Sequence, residues 1–291
     1  MAGPKGGAEA LSLRHAPWEE AADFAIGLKP VAAAAWLEGG EAEPWRRKDP
    51  LIATHPAMVW AEDAASRPAQ AEALAMVEAA LATSAGRPDL PPLLAAARLV
   101  PDDLVLMERR DRAWRVRALS LCAPTFFTAD RVAGKSLAEL HDPVDGFAER
   151  FLSRVARIFE GLRPDLILER RNWTLTNGDE PFAPDPAPIR AQIGDIAPER
   201  AGEALFLRVE RQTIRRLPAS GAVLFTIRVW LSPLSAVAAE PVRLAAFARA
   251  WRSATPAFRA YKQLNLYGGL VEAFLRACGE SGALDASGAA V

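Results

Sequence analysis

Cysteine and histidine are scarce in this chain: two of the first and three of the second among 291 residues. Cys122 and Cys278 are too few for an ordinary iron–sulfur cluster, which takes four protein ligands, and make no structural zinc site alone. A disulfide between them is disfavoured in a reducing compartment, so any redox chemistry here needs an added cofactor or a partner protein. Excess charge is missing too. The net charge of −1 gives no electrostatic case for nucleic acid or an anionic membrane. Apolar runs such as Val31–Leu37 and Leu93–Ala97 fall far short of the roughly 20 residues that span a bilayer. The first residues lack the apolar core of a secretory signal. The expectation is a cytoplasmic protein.

Phosphate loops and hydrolytic triads are absent as well. Gly268-Gly269 has no phosphate-loop pattern, and Ser220 and Ser281 stand in turn or tail contexts with no evident His/Asp partner. What remains is an ordinary globular composition, 51% hydrophobic and 24% charged, enough for a sizeable core.

Residues 1–17 read as a loose Gly/Ala-rich tail, and 18–99 as mainly helical, with Pro56–Ala65 and Pro68–Ser84 carrying apolar residues at helical spacing. At Asp102 the character changes. Leu104–Met107, a polar turn at Arg109–Arg112, and Trp114–Cys122 predict a β-hairpin. Ser136 and Glu139 fit a capping box, so a short helix starts there, and Pro143 stops it near His141. Phe147–Leu162 is an amphipathic helix closed by Gly161 and Pro164. Strands follow at Leu166–Thr176, Leu205–Leu217 and Ala222–Leu231, the last two joined by the short link Pro218–Gly221 as an antiparallel hairpin. Helix returns at 240–278, and 279–291 is a second soft tail. The chain therefore reads as an α+β protein, a single domain over 18–278. Two strands, a helical insert and three strands is the order of a PAS-like five-stranded antiparallel sheet at 100–235, with N- and C-terminal helical extensions.

His141 is the residue with most chemistry to offer. It stands at a helix end ahead of three strands, where neutral imidazole suits an axial position on haem iron and free backbone carbonyls can accept from its other nitrogen. The plain alternative is a helix-terminal histidine packed on the sheet. His55, in Thr54-His-Pro56, reads as a surface or capping residue, His15 falls in the loose N-terminus, and Cys122 as a buried structural thiol. Asn172 and Trp173 read as structural, and Tyr261 and Lys262 as either a pocket lid or packing.

Strand alternation puts Arg208, Glu210 and Gln212 on one face of their strand. With the turn centred on Ser220, Gln212 lies across from Arg228, and Glu210 in diagonal reach. Such groups suit a polar pocket: an arginine or amide donor stabilises charge on bound O₂, and a carboxylate holds an ammonium and takes its proton. A solvated salt-bridge ladder is the alternative, invited by Arg208, Arg211, Arg215 and Arg216. A register shift of one residue would break the pairing.

A longer series carries a resemblance. It comprises Leu137-Ala-Glu-Leu-His141-Asp-Pro-Val144 with Gly146, Val155-Ala-Arg-Ile-Phe159, Arg171-Asn-Trp173, Arg208-Val-Glu-Arg-Gln-Thr-Ile-Arg-Arg-Leu-Pro218, Leu224-Phe-Thr-Ile-Arg228 and Tyr261-Lys262. Over roughly residues 25–265 the chain resembles the haem-dependent oxidative N-demethylase family. The resemblance implies a PAS-fold domain that binds haem b and oxidises a small secondary amine with O₂. NADPH, FMN and a 2Fe-2S centre would act only through separate reductase and electron-transfer subunits. On that reading His141 holds the iron, Gln212 and Arg228 polarise bound O₂, and Glu210 engages the amine. Two stretches depart from the family pattern, Pro143-Val-Asp145-Gly146 and Ala123-Pro-Thr-Phe-Phe127, and both bear on which amine is used. The rivals are a haem-binding PAS-type sensor without turnover and a haem-free interaction protein.

Overall fold

The computed structural model describes residues 13–19, 27–37, 43–140 and 148–280, with only the backbone for 148–152. His141, the segment Asp142–Phe147 and the outer parts of both expected tails lie outside the described residues. The fold is α+β, built on one antiparallel sheet of seven strands. In chain order these are β1 (Lys29–Val31), β2 (Trp60–Glu62), β3 (Asp103–Arg110), β4 (Ala113–Ser120), β5 (Ile167–Thr176), β6 (Phe206–Arg216) and β7 (Val223–Pro233). Across the sheet the order is β1-β5-β6-β7-β3-β4-β2. Among the described residues no helix is long and apolar enough to cross a membrane.

Both expected hairpins form. β3 and β4 turn through Asp111 and Arg112, each with positive φ (49° and 64°), the backbone that a two-residue turn between right-twisted strands demands. β6 and β7 turn through Leu217–Ala222, where Gly221 supplies a φ of 70°. The Glu72 carboxylate, from the helix Arg67–Leu81, accepts the amides of Ala219 (2.6 Å) and Ser220 (2.9 Å) at that turn. The helix is held in turn by Ala69, Ala73 and Val77, four residues apart and fully buried.

The sheet has seven strands where five were expected, because β1 and β2 add one short edge strand each. Three residues carry no readable alternation, and Pro30 in β1 is tolerated only because an edge strand can leave an N–H position unpaired. β2 also cuts short the helix expected over Pro56–Ala65, which spans only Pro56–Val59. The tail expected through residue 17 is tied down at its end, where Leu13 and Trp18 are buried against Trp173 and Phe247.

Alternation divides the sheet between two cores. Leu104, Leu106 and Leu224 pack under the helices Arg67–Leu81 and Pro92–Leu99, while Val105, Met107 and Ile214 face the helix Ala148–Gly161. The first core also holds charge. The Arg211 side chain, 1% exposed, donates to Glu169 (2.6 Å) and to the carbonyl of Trp36 (2.8 Å). Trp36 donates to Thr213 (3.1 Å), which shares a hydrogen bond with Thr226 (2.7 Å). Lys48, fully buried, donates to the carbonyls of Ala97 and Asp102.

Asp102 is buried, and neither carboxylate oxygen has a hydrogen-bond partner among the described residues. Burial pushes its pKa up to about 6, against the attraction of Arg228, Lys48 and Arg211. The native state therefore keeps this proton to higher pH than the unfolded chain, and the contribution of Asp102 to stability falls as pH rises from about 4 to about 6. The D102N variant should match the wild type near pH 4 and exceed it by on the order of 3 kcal/mol at pH 7. Urea unfolding of both proteins across that range tests this; parallel stability curves would contradict it.

Candidate active site

On the side of the sheet facing Ala148–Gly161 lies a cavity of about 590 Å³, within the range of sites for cofactors and small ligands. One part is apolar, walled by Val105, Leu119, Phe159, Ile214 and Phe225. Leu137 and Leu140 also line it. They belong to a one-turn helix, Leu137–Leu140, whose capping box forms as the sequence predicts. The Ser136 amide donates to the Glu139 carboxylate (2.7 Å), and the Glu139 amide donates to the Ser136 hydroxyl (3.2 Å).

The other part is polar and comes from the alternating residues of two adjacent strands. β5 contributes Arg170, Asn172 and Thr174, and β6 contributes Arg208, Glu210 and Gln212. Glu210 is the hub. One carboxylate oxygen accepts from the Thr125 hydroxyl (3.0 Å) and lies 3.6 Å from Arg208 Nε. The other accepts from the amides of Gln212 (2.9 Å) and Asn172 (3.4 Å). Asn172 Oδ1 in turn accepts from Lys262 Nζ (2.5 Å), and Gln212 Oε1 from Arg170 Nε (2.6 Å). The charges at the two ends of this chain dictate which way each amide points.

Burial alone would raise the Glu210 pKa. The charges of Arg208 and Lys262, with hydrogen bonds from Thr125 and Gln212, outweigh it and hold the pKa below the ordinary carboxylate value. Burial dominates at Lys262, whose pKa falls to about 8 despite the attraction of Glu210. The site thus pairs a firmly ionised carboxylate with an amine that exchanges its proton just above neutrality.

The cavity rim is shaped by a second carboxylate. Asp103 accepts the amides of Cys122 (2.7 Å) and Ala123 (2.9 Å), fixing the chain as it leaves β4. From there Ala123, Thr125, Phe126 and Phe127 line the cavity, so this stretch is wall. Phe126 has a φ of 64°, a left-handed conformation disfavoured for an aromatic residue. It is held by its amide donating to the Ala183 carbonyl (2.8 Å).

Glu210 and Gln212 come together as expected, but Arg228 does not join them. The β6–β7 register pairs Gln212 with Ile227 and Arg211 with Arg228, one residue from a turn centred on Ser220. The loop has an even number of residues, so its centre falls between Ala219 and Ser220. The shift turns Arg228 onto the opposite face, toward Asp102 and the Trp230 ring (5.5 Å). Asn172, expected to be structural, belongs to the site. Arg170 was not anticipated, although polar Arg170, Asn172 and Thr174 at every second position of a strand were a usable signal.

The other candidate donors lie elsewhere. His15 packs edge-on against Trp230 (4.7 Å), and exposed His55 stacks on Phe182 (5.5 Å). Cys122 is buried, and that burial pushes its thiol up to about 11. Among the described residues no histidine or cysteine lines the cavity, and no cluster of histidine, cysteine and carboxylate side chains could hold a metal ion.

Removing Glu210 should expose how far the polar wall depends on it. E210A strands buried Arg208 and half-buried Lys262 and should cost roughly 2 kcal/mol or more, whereas T125V removes one hydrogen bond to the carboxylate at a cost of about 1 kcal/mol. Denaturant unfolding of both variants checks the order, and equal losses would show that Glu210 is not the hub.

Comparison with known proteins places this chain in a family. The family model described as haem-dependent oxidative N-demethylase, alpha subunit-like, matches residues 78–271.

Proposed function

Because the chain belongs to the haem-dependent oxidative N-demethylase, alpha subunit-like family, we propose that it is the oxygen-activating component of an amine N-demethylase. Its substrate would be a small secondary amine, its cofactor haem b, and its electrons would come from NADPH through separate flavin and iron–sulfur subunits. The observation that carries the reading is the cavity itself, apolar at one end and built around an ionised carboxylate at the other. The order β4-β3-β7-β6-β5 supports a PAS-like core: it is the second, first, fifth, fourth and third of the long strands.

The residues fit a haem by elimination as well as by character. The chain has three histidines; His15 and His55 pack elsewhere, and His141 directly follows Leu140, which lines the cavity. This supports His141 as the residue that would hold the iron, and the apolar wall of the cavity would suit a porphyrin. When bound, the haem supplies the O₂ activation that converts an N-methyl group to formaldehyde.

The chain's own residues divide the remaining work. Glu210, kept ionised, holds the substrate ammonium. The same low pKa makes it a poor base, so proton exchange falls to Lys262, linked to it through Asn172. Gln212 commits one amide hydrogen to Glu210, and its second would donate into the cavity that it lines. Arg228, on the far face, has no part in this. The apolar wall excludes water around the methyl group.

Two experiments test the reading. Wild-type protein loaded with haemin should show a Soret band that is lost or shifted in H141A, and should release formaldehyde from dimethylammonium when NADPH and reductase subunits are added. An unchanged band in H141A removes His141 as ligand. Haem uptake without formaldehyde release favours a sensor, and protein that stays colourless favours an interaction module.

The second concerns pH. Below about 8 charged Lys262 competes with the substrate cation for Glu210; above it the neutral amine does not, while a dialkylammonium stays protonated to about 10 or beyond. Dimethylammonium should bind about tenfold more tightly at pH 9 than at pH 7, and K262M should flatten the dependence. Calorimetric titration at the two pH values measures it; a wild-type affinity independent of pH removes Lys262 from this role.

A further inference from the structure

Three arginines on β5 and β6 are drawn into buried polar networks, and they are used differently. Arg211 donates to Glu169 and to the carbonyls of Trp36 and Ala35. Arg208 donates both terminal nitrogens to the carbonyls of Pro181 and Ala123. These two are braces. Arg170 donates only through Nε, to Gln212. Among the described residues its two terminal nitrogens have no hydrogen-bond partner, and no carboxylate forms an ion pair with it. Yet it lines the cavity, and burial there lowers its pKa.

A guanidinium partly withdrawn from water, with its planar pair of N–H donors unused and facing a cavity, favours a ligand that completes it. The group that matches that pair is a carboxylate, which accepts two parallel hydrogen bonds. Gln212 bridges Arg170 and Glu210: its oxygen accepts from the guanidinium, and its nitrogen donates to the carboxylate. The wall therefore offers a cation and an anion one side chain apart. An N-methyl amino acid presents the complementary pair, an ammonium and a carboxylate on one carbon.

We propose that Arg170 is a carboxylate-binding subsite of this cavity and that the amine demethylated here carries a carboxylate, as an N-methyl α-amino acid does. The inference rests on the N-demethylase reading for its chemistry but not for its binding test. A haem propionate is the other source of the same chemistry, and the two are separable.

Full-length protein, with and without haemin, is titrated calorimetrically with N-methylglycine, dimethylammonium and acetate, and haemin affinity is read from the Soret band. Wild type should bind N-methylglycine roughly tenfold or more tightly than dimethylammonium. R170Q should lose that preference with haemin affinity little changed. If R170Q instead weakens haemin binding roughly tenfold and leaves both amines alike, the carboxylate is a propionate, and the amino-acid substrate is overturned. If R170Q changes neither, the subsite itself is overturned. R170K, which keeps the charge but not the paired donors, should show a partial loss and replaces R170Q if that variant unfolds. Protein that takes up no haemin sinks the demethylase reading, while the haemin-free titrations still decide the role of Arg170.

Discussion

β6 is charged along much of its length and covered on both faces, and the rest of the molecule is arranged around that constraint. Between Arg208 and Thr213 no side chain faces open solvent, so each polar group needs a partner inside the protein. Arg211 and Thr213 find theirs in Trp36, Glu169 and Thr226. Arg208, Glu210 and Gln212 find theirs across on β5 and in the segment that leaves β4. Alternation along one strand thus separates a charged core from a polar cavity wall with no loop between them.

The polar cavity wall is held from several directions. Asp103 fixes the exit of β4 through two backbone amides, and Thr125, two residues beyond Ala123, reaches Glu210. The Thr174 hydroxyl donates to the Lys262 carbonyl (3.3 Å), tying the segment that follows the helix Pro256–Tyr261 to β5. The carboxylate and the amine are therefore both set by groups that themselves have little freedom, which is what a preorganised site requires.

Much of this could be read from residues alone, and the gaps have physical causes. The capping box at Ser136 and Glu139, both hairpins and the shared face of Arg208, Glu210 and Gln212 follow from local rules, and they are present. Arg228 was lost to register, which depends on whether a loop holds an odd or even number of residues and not on the strands it joins. β1 and β2 were invisible because three residues cannot display a period. Asn172 looked structural and Arg170 was passed over because their meaning lies in what stands beside them on β6, which is information about pairing. His141 is marked by its sequence context alone, since it lies outside the described residues.

Glu72 gives the β6–β7 turn a significance that turns seldom have. By accepting two successive amides at its tip, this carboxylate anchors the hairpin to the helix Arg67–Leu81 in one phase. Surface loops ordinarily absorb insertions and deletions freely. Here a single inserted residue would invert one strand relative to the other, carrying Arg228 toward the cavity and Ile227 into the charged core. Drift in the length of this loop is therefore expected to proceed by pairs of residues, with the parity of the turn inherited as strictly as any side chain in the cavity.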